Sequence, residues 1–176
     1  RPPQPVESWD DVRDATVAAP ACVQARIPAE VSSFYDAGVD EISENCLYLN
    51  VWTGAAPDDR APVMVWIHGG ALITGSRASV PQQLLKLAAE EGYVLVSIDY
   101  RLAPQAKIQE IISDLRDALK WIREKGPSLF DADVSRLLVS GGSAGGYLTM
   151  MAGTLQPRPK ALVTYWGYGS LDARWY

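Results

Sequence analysis

Gly141-Gly142-Ser143-Ala144-Gly145 joins an apolar strand, predicted over 137–140, to an apolar helix that includes 147–151. Gly-x-Ser-x-Gly between a strand and a helix is a nucleophile elbow, a turn so tight that its flanking positions tolerate almost no side chain. The turn sets the Ser143 hydroxyl at the helix N-terminus, where the helix dipole and unpaired N–H groups favour developing negative charge. The pattern therefore predicts that Ser143 is a nucleophile.

A nucleotide-binding loop is the main alternative for such a glycine-rich turn. At the elbow, Ser143 occupies the second glycine position of Gly-x-Gly-x-x-Gly. At a second glycine-rich turn, 68–71, Leu72 breaks the spacing, and Asp99 follows about thirty residues on instead of about twenty. The chain contains no Gly-Lys-Ser/Thr, which excludes a P-loop. Both glycine-rich turns thus fit nucleotide binding poorly.

The composition is that of an ordinary globular domain, with 176 residues of which 48% are hydrophobic and a net charge of −5. The acidic balance and the lack of a Lys/Arg cluster argue against nucleic acid as a partner. No apolar run reaches the length of a membrane span, and no signal peptide is visible at Arg1. Targeting cannot be read from this end of the chain.

The order of predicted elements indicates an α/β fold. Residues 1–45 are predicted as extended loops around a short helix near Trp9, and 46–176 as the sheet core of the same single domain. Apolar strands alternate there with amphipathic helices, which predicts a mostly parallel sheet with helices on both faces. The strands are predicted at 46–52, 63–67, 93–98, 137–140 and 161–166, and the helices at 81–91 and at 108–125, the latter ended by Gly126-Pro127.

A second element of the site follows the strand at 63–67. His68-Gly69-Gly70-Ala71 lies at the carboxyl end of that strand, where α/β sheets place their sites. A serine that attacks a carbonyl creates an oxyanion, which needs preorganised donors. We expect the N–H groups of Gly70, Ala71 and Ala144 to form an oxyanion hole, with Gly69 as a nearby alternative. A plain loop that uses glycine only for positive φ is the other interpretation, which the accompanying elbow disfavours.

Four stretches of the sequence together carry a family resemblance: Pro2-Pro3-Gln4-Pro5 with Trp9, Ser43 to Trp52, Ser97 to Pro104, and Gly141 to Gly146. They resemble the esterase/lipase branch of the α/β-hydrolase fold. The first two stretches are similar to type B carboxylesterases, the cholinesterase-like group, with Asn45 where Asp is usual. The last two resemble hormone-sensitive-lipase-like esterases, with Gly142 where an acid is common.

The resemblance implies a serine carboxylic-ester hydrolase that acts through an acyl-enzyme on Ser143, with a small-molecule ester as substrate and no cofactor or metal. It makes Asp99 and Arg101 structural charges. It also implies a Cys22–Cys46 disulfide, with two separate buried thiols as the alternative. A disulfide would weakly favour a secreted or extracellular location, which is otherwise unknown.

The general base is missing from this pattern, because the family places its acid and its histidine after the nucleophile. His68 is the one histidine of the chain and precedes the serine, where the family uses it to brace the oxyanion loop. Asp172 could imitate the triad acid. We expect a truncated or partial hydrolase, without the first and the C-terminal strands. A noncatalytic cholinesterase-like binding or adhesion protein is the alternative.

The predicted last strand, 161–166, is apolar enough for the interior of a sheet. As a sheet edge it would need a cover, either an oligomer or the remainder of the protein. Tyr165, Trp166 and Tyr168 are expected to form walls of the substrate pocket. The chain alone is expected to lack esterase activity, since neither base nor acid is assigned.

Overall fold

The computed structural model describes residues 15–25, 41–56 and 58–171, so that the predicted helix near Trp9 and Asp172 lie outside the described residues. A small parallel sheet joins β1 (Ala21–Cys22) to β2 (Ile42–Ser43). The main sheet has five strands, β3 (Leu49–Trp52), β4 (Ala61–Ile67), β5 (Val94–Ile98), β6 (Ala132–Gly142) and β7 (Ala161–Tyr165). The helices are α1 (Gln82–Glu90), α2 (Ile108–Leu129) and α3 (Ala144–Ala152).

The main sheet confirms the predicted α/β-hydrolase fold class. Its strand order is β3-β5-β4-β6-β7, and every neighbouring pair is parallel except β3 with β5. Since alternate residues of a strand point to opposite faces, Met64 and Trp66 of β4 pack against α1, while Val63 and Val65 join the core that α2 and α3 cover. The sheet therefore carries helices on both faces, as predicted.

The register of the two central strands places the site. Ile67, the last residue of β4, is paired with Gly141 near the end of β6. Parallel strands end at the same edge of a sheet, so the loop that begins at His68 and the turn at Ser143 leave the sheet side by side.

The boundaries of helix α2 differ from the prediction. The helix continues through Gly126 and Pro127 to Leu129 instead of ending at 125. The Phe130 ring packs on Gly126, where a Cβ would lie 3.0 Å from two of its ring atoms, and the Phe130 N–H donates to the Gly126 carbonyl. This packing holds the last turn in helical form although Pro127 contributes no N–H.

Strand β7 lies at one edge of the main sheet, and its side chains are exposed, with Tyr165 at 40% and the following Trp166 at 81%. The cover expected for this edge, an oligomer or further chain, stays a prediction. None of the helices in the described ranges is long and apolar enough to cross a membrane.

Candidate active site

Ser143 adopts a strained backbone conformation at the start of α3. Its φ of 55° and ψ of −119° match the first central position of a type II′ turn, which normally takes glycine. Two hydrogen bonds hold it there: its N–H donates to the Tyr165 carbonyl over 2.9 Å, and its carbonyl accepts from the Tyr147 N–H over 3.1 Å. Such strain persists only where the surroundings fix it, and it is concentrated at functional sites. The partly exposed Ser143 is therefore held in a fixed position just beyond the carboxyl end of β6.

The elbow and the loop after β4 are packed backbone against backbone. A Cβ on Gly145 would lie 2.0 Å from the Ile67 carbonyl oxygen, which leaves no room for any side chain. On the other side, a Cβ on Gly69 would lie 3.4 Å from the Ser143 Cβ. The glycines thus bring the loop directly against the serine.

The loop itself turns sharply at Gly70, whose φ is 105°. The Gly70 carbonyl accepts hydrogen bonds of 3.0 Å from the N–H groups of both Ile73 and Thr74. Within the described residues, the backbone N–H groups of Gly70 and Ala144 make no hydrogen bond to the protein. These two donors next to the serine and in the loop are therefore not used within the described protein.

A cleft of about 590 Å³ opens beside Ser143. Gly69, Gly70 and Ser143 all line it, whereas Ala71 is exposed and does not. Tyr165 and Trp166 form part of its wall, but Tyr168, the third predicted wall residue, packs against the hydrophobic core instead. The structure thus brings the serine and the two loop glycines to one cleft, whereas the residues that line it include neither Ala71 nor the fully buried Ala144.

The buried rings of His68 and Tyr100 pack beneath the loop that begins at His68 and contact its backbone. The His68 ring is 1% exposed and stacks on Tyr100, with ring centroids 4.2 Å apart. The Tyr100 hydroxyl donates to the His68 carbonyl over 2.9 Å, and burial raises its pKa far above the usual range, so it stays a donor. His68 Nδ1 lies 2.8 Å from the Gly69 carbonyl oxygen. The one histidine of the chain therefore braces the loop, as the resemblance implies.

His68 is poorly suited to act as the general base for Ser143. Burial lowers its pKa to about 4, its ring does not line the cleft, and its Nε2 points to Asp99, 3.9 Å away. A general base has to reach the proton that it removes.

Arg77 and Asp114 are buried charged residues that no sequence motif marks. Arg77 lies beside Asp99. Its guanidinium pairs with the Asp99 carboxylate, its backbone N–H donates to the same carboxylate over 2.7 Å, and both side chains are at most 5% exposed. Burial raises the pKa of Asp99 to about 6 against the opposing effect of Arg77. Arg101 forms a separate pair with Asp114 over 2.7 Å. Both predicted structural charges are thus paired, with partners far along the chain that no local motif marks.

The predicted disulfide between Cys22 and Cys46 is confirmed, with an S–S distance of 2.06 Å. It ties the segment that holds β1 to the segment just before β3. Within the described residues, no cluster of three or more His, Cys, Asp or Glu side chains could hold a metal ion.

Comparison with known proteins gives consistent matches. The carboxylesterase family model matches residues 1–164. The para-nitrobenzyl esterase of Bacillus subtilis (strain 168) is 38% identical over 171 residues, which cover 91% of this chain and 34% of that protein. Carboxylesterase 3 of Homo sapiens is 38% identical over 158 residues, covering 82% of this chain and 27% of that protein. A solved thermophilic PNB esterase superposes with a TM-score of 0.64 at 36% identity, covering 80% of this chain and 30% of that one. The chain spans about a third of the length of the curated relatives it matches.

Proposed function

We propose, since the chain belongs to the carboxylesterase family, that it carries the nucleophile and the oxyanion hole of a serine carboxylic-ester hydrolase. Ser143 would attack the ester, and the N–H groups of Gly70, Ala71 and Ala144 would be the donors, with Gly69 as a nearby alternative. Neither Ala71 nor Ala144 is among the residues that line the cleft, and both would act through their backbone N–H groups alone.

One observation carries this proposal: a serine in a conformation suited to glycine faces a glycine loop so closely that a Cβ on Gly69 would lie 3.4 Å from the serine Cβ. A loop with a purely structural role needs no such serine. A strained serine beside unpaired backbone donors is the arrangement that acyl transfer requires.

The chemistry follows from this arrangement. The Ser143 Oγ forms a bond to the ester carbonyl carbon while a general base takes its proton. The carbonyl oxygen becomes an anion, which accepts hydrogen bonds from the backbone N–H groups. When the anion collapses, the C–O bond to the alcohol breaks, the alcohol leaves with the proton, and water then hydrolyses the acyl-enzyme. Because His68 is buried away from the cleft, we propose that the base comes from elsewhere in the complete protein.

The cleft also suggests which esters would fit. Its walls are mainly aromatic and aliphatic, and no charged side chain of the described residues lines it; the apolar members are Trp66, Pro81, Leu84, Leu87, Tyr165 and Trp166. Burying a charge without a partner is costly, so we propose that the substrate group held there is uncharged.

Covalent labelling tests the proposal. The full-length protein is treated with a fluorophosphonate probe, and mass spectrometry locates the adduct, which we expect on Ser143. Ser143→Ala should abolish both the adduct and the hydrolysis of a short-chain activated ester. Ser79→Ala is the matched control, because Ser79 lines the same cleft and its hydrogen bonds are made by its backbone: the N–H donates to the Ser76 carbonyl over 3.0 Å, and the carbonyl accepts from Trp66 Nε1 over 2.8 Å.

Ser79→Ala should label and turn over like the wild type. A folded full-length protein without any adduct on Ser143 would refute the proposal and favour a noncatalytic binding protein.

A further inference from the structure

We propose that Gln24 is a positioning residue that fixes the oxyanion loop, residues 68–75, through contacts at the end of the loop. This inference rests on the function proposed above. Gln24 is two residues after Cys22 and is distant in sequence from both parts of the site. Its side chain nevertheless reaches the end of the loop that begins at His68.

The Gln24 carboxamide is matched to the backbone N–H and carbonyl of one residue of that loop. Its Oε1 accepts from the Gly75 N–H over 2.9 Å, and its Nε2 donates to the Gly75 carbonyl over 3.1 Å. The same Oε1 also accepts from the Thr74 hydroxyl over 2.7 Å. An amide that both donates to and accepts from one residue fixes the orientation of that backbone more closely than a single hydrogen bond does.

The residues held by Gln24 are those that shape the oxyanion loop. Thr74 donates its N–H to the Gly70 carbonyl over 3.0 Å, so its position sets the orientation of the peptide that follows Gly70. Gly75 has a φ of 105°, and a Cβ there would lie 2.8 Å from the Gly69 carbonyl oxygen and 2.7 Å from His68 Nδ1. A displacement of Gly75 would therefore be transmitted to the peptides at Gly69 and Gly70.

Three attachments hold the segment that carries Gln24. The Cys22–Cys46 disulfide fastens the segment just before it, and Gln24 Nε2 also donates to the Cys22 carbonyl over 3.1 Å. The Arg77 guanidinium donates to the carbonyls of Ala19 and Pro20 on the same segment. The disulfide thus contributes to the geometry of the oxyanion hole through Gln24.

The test compares Gln24→Glu with the wild type in the full-length protein. Glutamate has the same shape, but it replaces the donor to the Gly75 carbonyl with an acceptor. We expect kcat and the rate of fluorophosphonate labelling to fall roughly 10- to 100-fold with KM within about twofold, because misplaced donors weaken binding of the transition state alone. Thr74→Val, which removes only the hydroxyl bond to Gln24, should show a smaller loss of the same kind.

Asp133→Ala serves as the control for general destabilisation. Its hydrogen bonds to Ser135 and Arg136 lie at the amino end of β6, away from the cleft. A loss of thermal stability alone should leave its kcat near the wild-type value.

A double-mutant cycle tests the link to the disulfide. If the disulfide acts through Gln24, Cys22→Ala/Cys46→Ala lowers kcat, and adding Gln24→Ala lowers it little further. Full additivity would refute that link.

The outcomes separate this inference from the function on which it rests. Wild-type protein that is not labelled on Ser143 refutes the proposed function, and the role of Gln24 with it. Normal labelling of the wild type together with unchanged kcat in both Gln24→Glu and Thr74→Val refutes only the role of Gln24.

Discussion

Replacing Gly145 with alanine should disable the site while leaving most of the fold intact. The new Cβ would lie 2.0 Å from the Ile67 carbonyl oxygen and 2.7 Å from that of His68. A carbon and a carbonyl oxygen normally approach to about 3.3–3.6 Å, so the two backbones would have to separate by more than about 1 Å. Both neighbours are backbone atoms at the carboxyl end of a central strand, so no flexible side chain can absorb the movement.

The expected loss can be estimated from that displacement. A misplacement of about 1 Å between reacting groups can cost roughly 100-fold in rate, and overpacking of this kind costs about 1–3 kcal/mol in stability. Gly142→Ala is the matched control on the same turn, because its Cβ would lie 3.8 Å from the nearest atoms, which belong to the Trp166 ring. We expect that variant to stay within about threefold of the wild-type rate, because 3.8 Å is an ordinary van der Waals contact.

The assay is kcat and KM of the full-length protein on a short-chain activated ester, with thermal melting in parallel. Gly145→Ala should melt cooperatively, at a lower temperature, and turn over about 100-fold more slowly. Equal rates for Gly145→Ala and Gly142→Ala would refute the argument that the contact between the elbow and β4 sets the geometry of the site.

Three further predictions concern the support beneath the loop. Asp99→Asn should lower the free energy of unfolding by roughly 3–5 kcal/mol, because the Arg77 guanidinium stays buried without its charged partner. Urea unfolding checks this, and the double variant Arg77→Met/Asp99→Asn should regain the lost stability. Burial lowers the pKa of His68 from 6.5 to about 4, so between these values the unfolded chain binds a proton that the folded chain does not. Wild-type stability should therefore fall by roughly 3 kcal/mol relative to His68→Gln as the pH drops from 7 to 4, and parallel pH profiles would contradict this. Cys22→Ser/Cys46→Ser should cost roughly 3 kcal/mol, since the disulfide closes a loop with a sequence separation of 24; unchanged melting would argue against that contribution.

The local signals in the sequence were sufficient for the fold and for the elbow. The continuous apolar run at 63–67 has the length and composition of a strand buried on both faces, and the turn at Ser143 has a glycine pattern that few other structures share. The Cys22–Cys46 pairing followed from the family resemblance and is confirmed.

The support of the site could not be predicted in the same way, because it depends on pairs that are distant in sequence. Arg77 and Gln24 stand in no motif, and each acquires its role from a partner brought close by the fold. The predicted end of α2, at residue 125, was wrong for a similar reason. Gly126-Pro127 is a local signal to stop, but contact with Phe130 outweighs it.

The strained backbone of Ser143 has a consequence for how this protein can be handled. A φ of 55° on a serine is held by a hydrogen bond to Tyr165 at the end of β7 and by the packing of α3 against β4, contacts that exist only once the sheet is assembled. An unfolded chain would present the same serine as an ordinary, unreactive alcohol. The yield of a fluorophosphonate label on Ser143 would therefore count folded molecules in a mixture, and could follow refolding without any substrate.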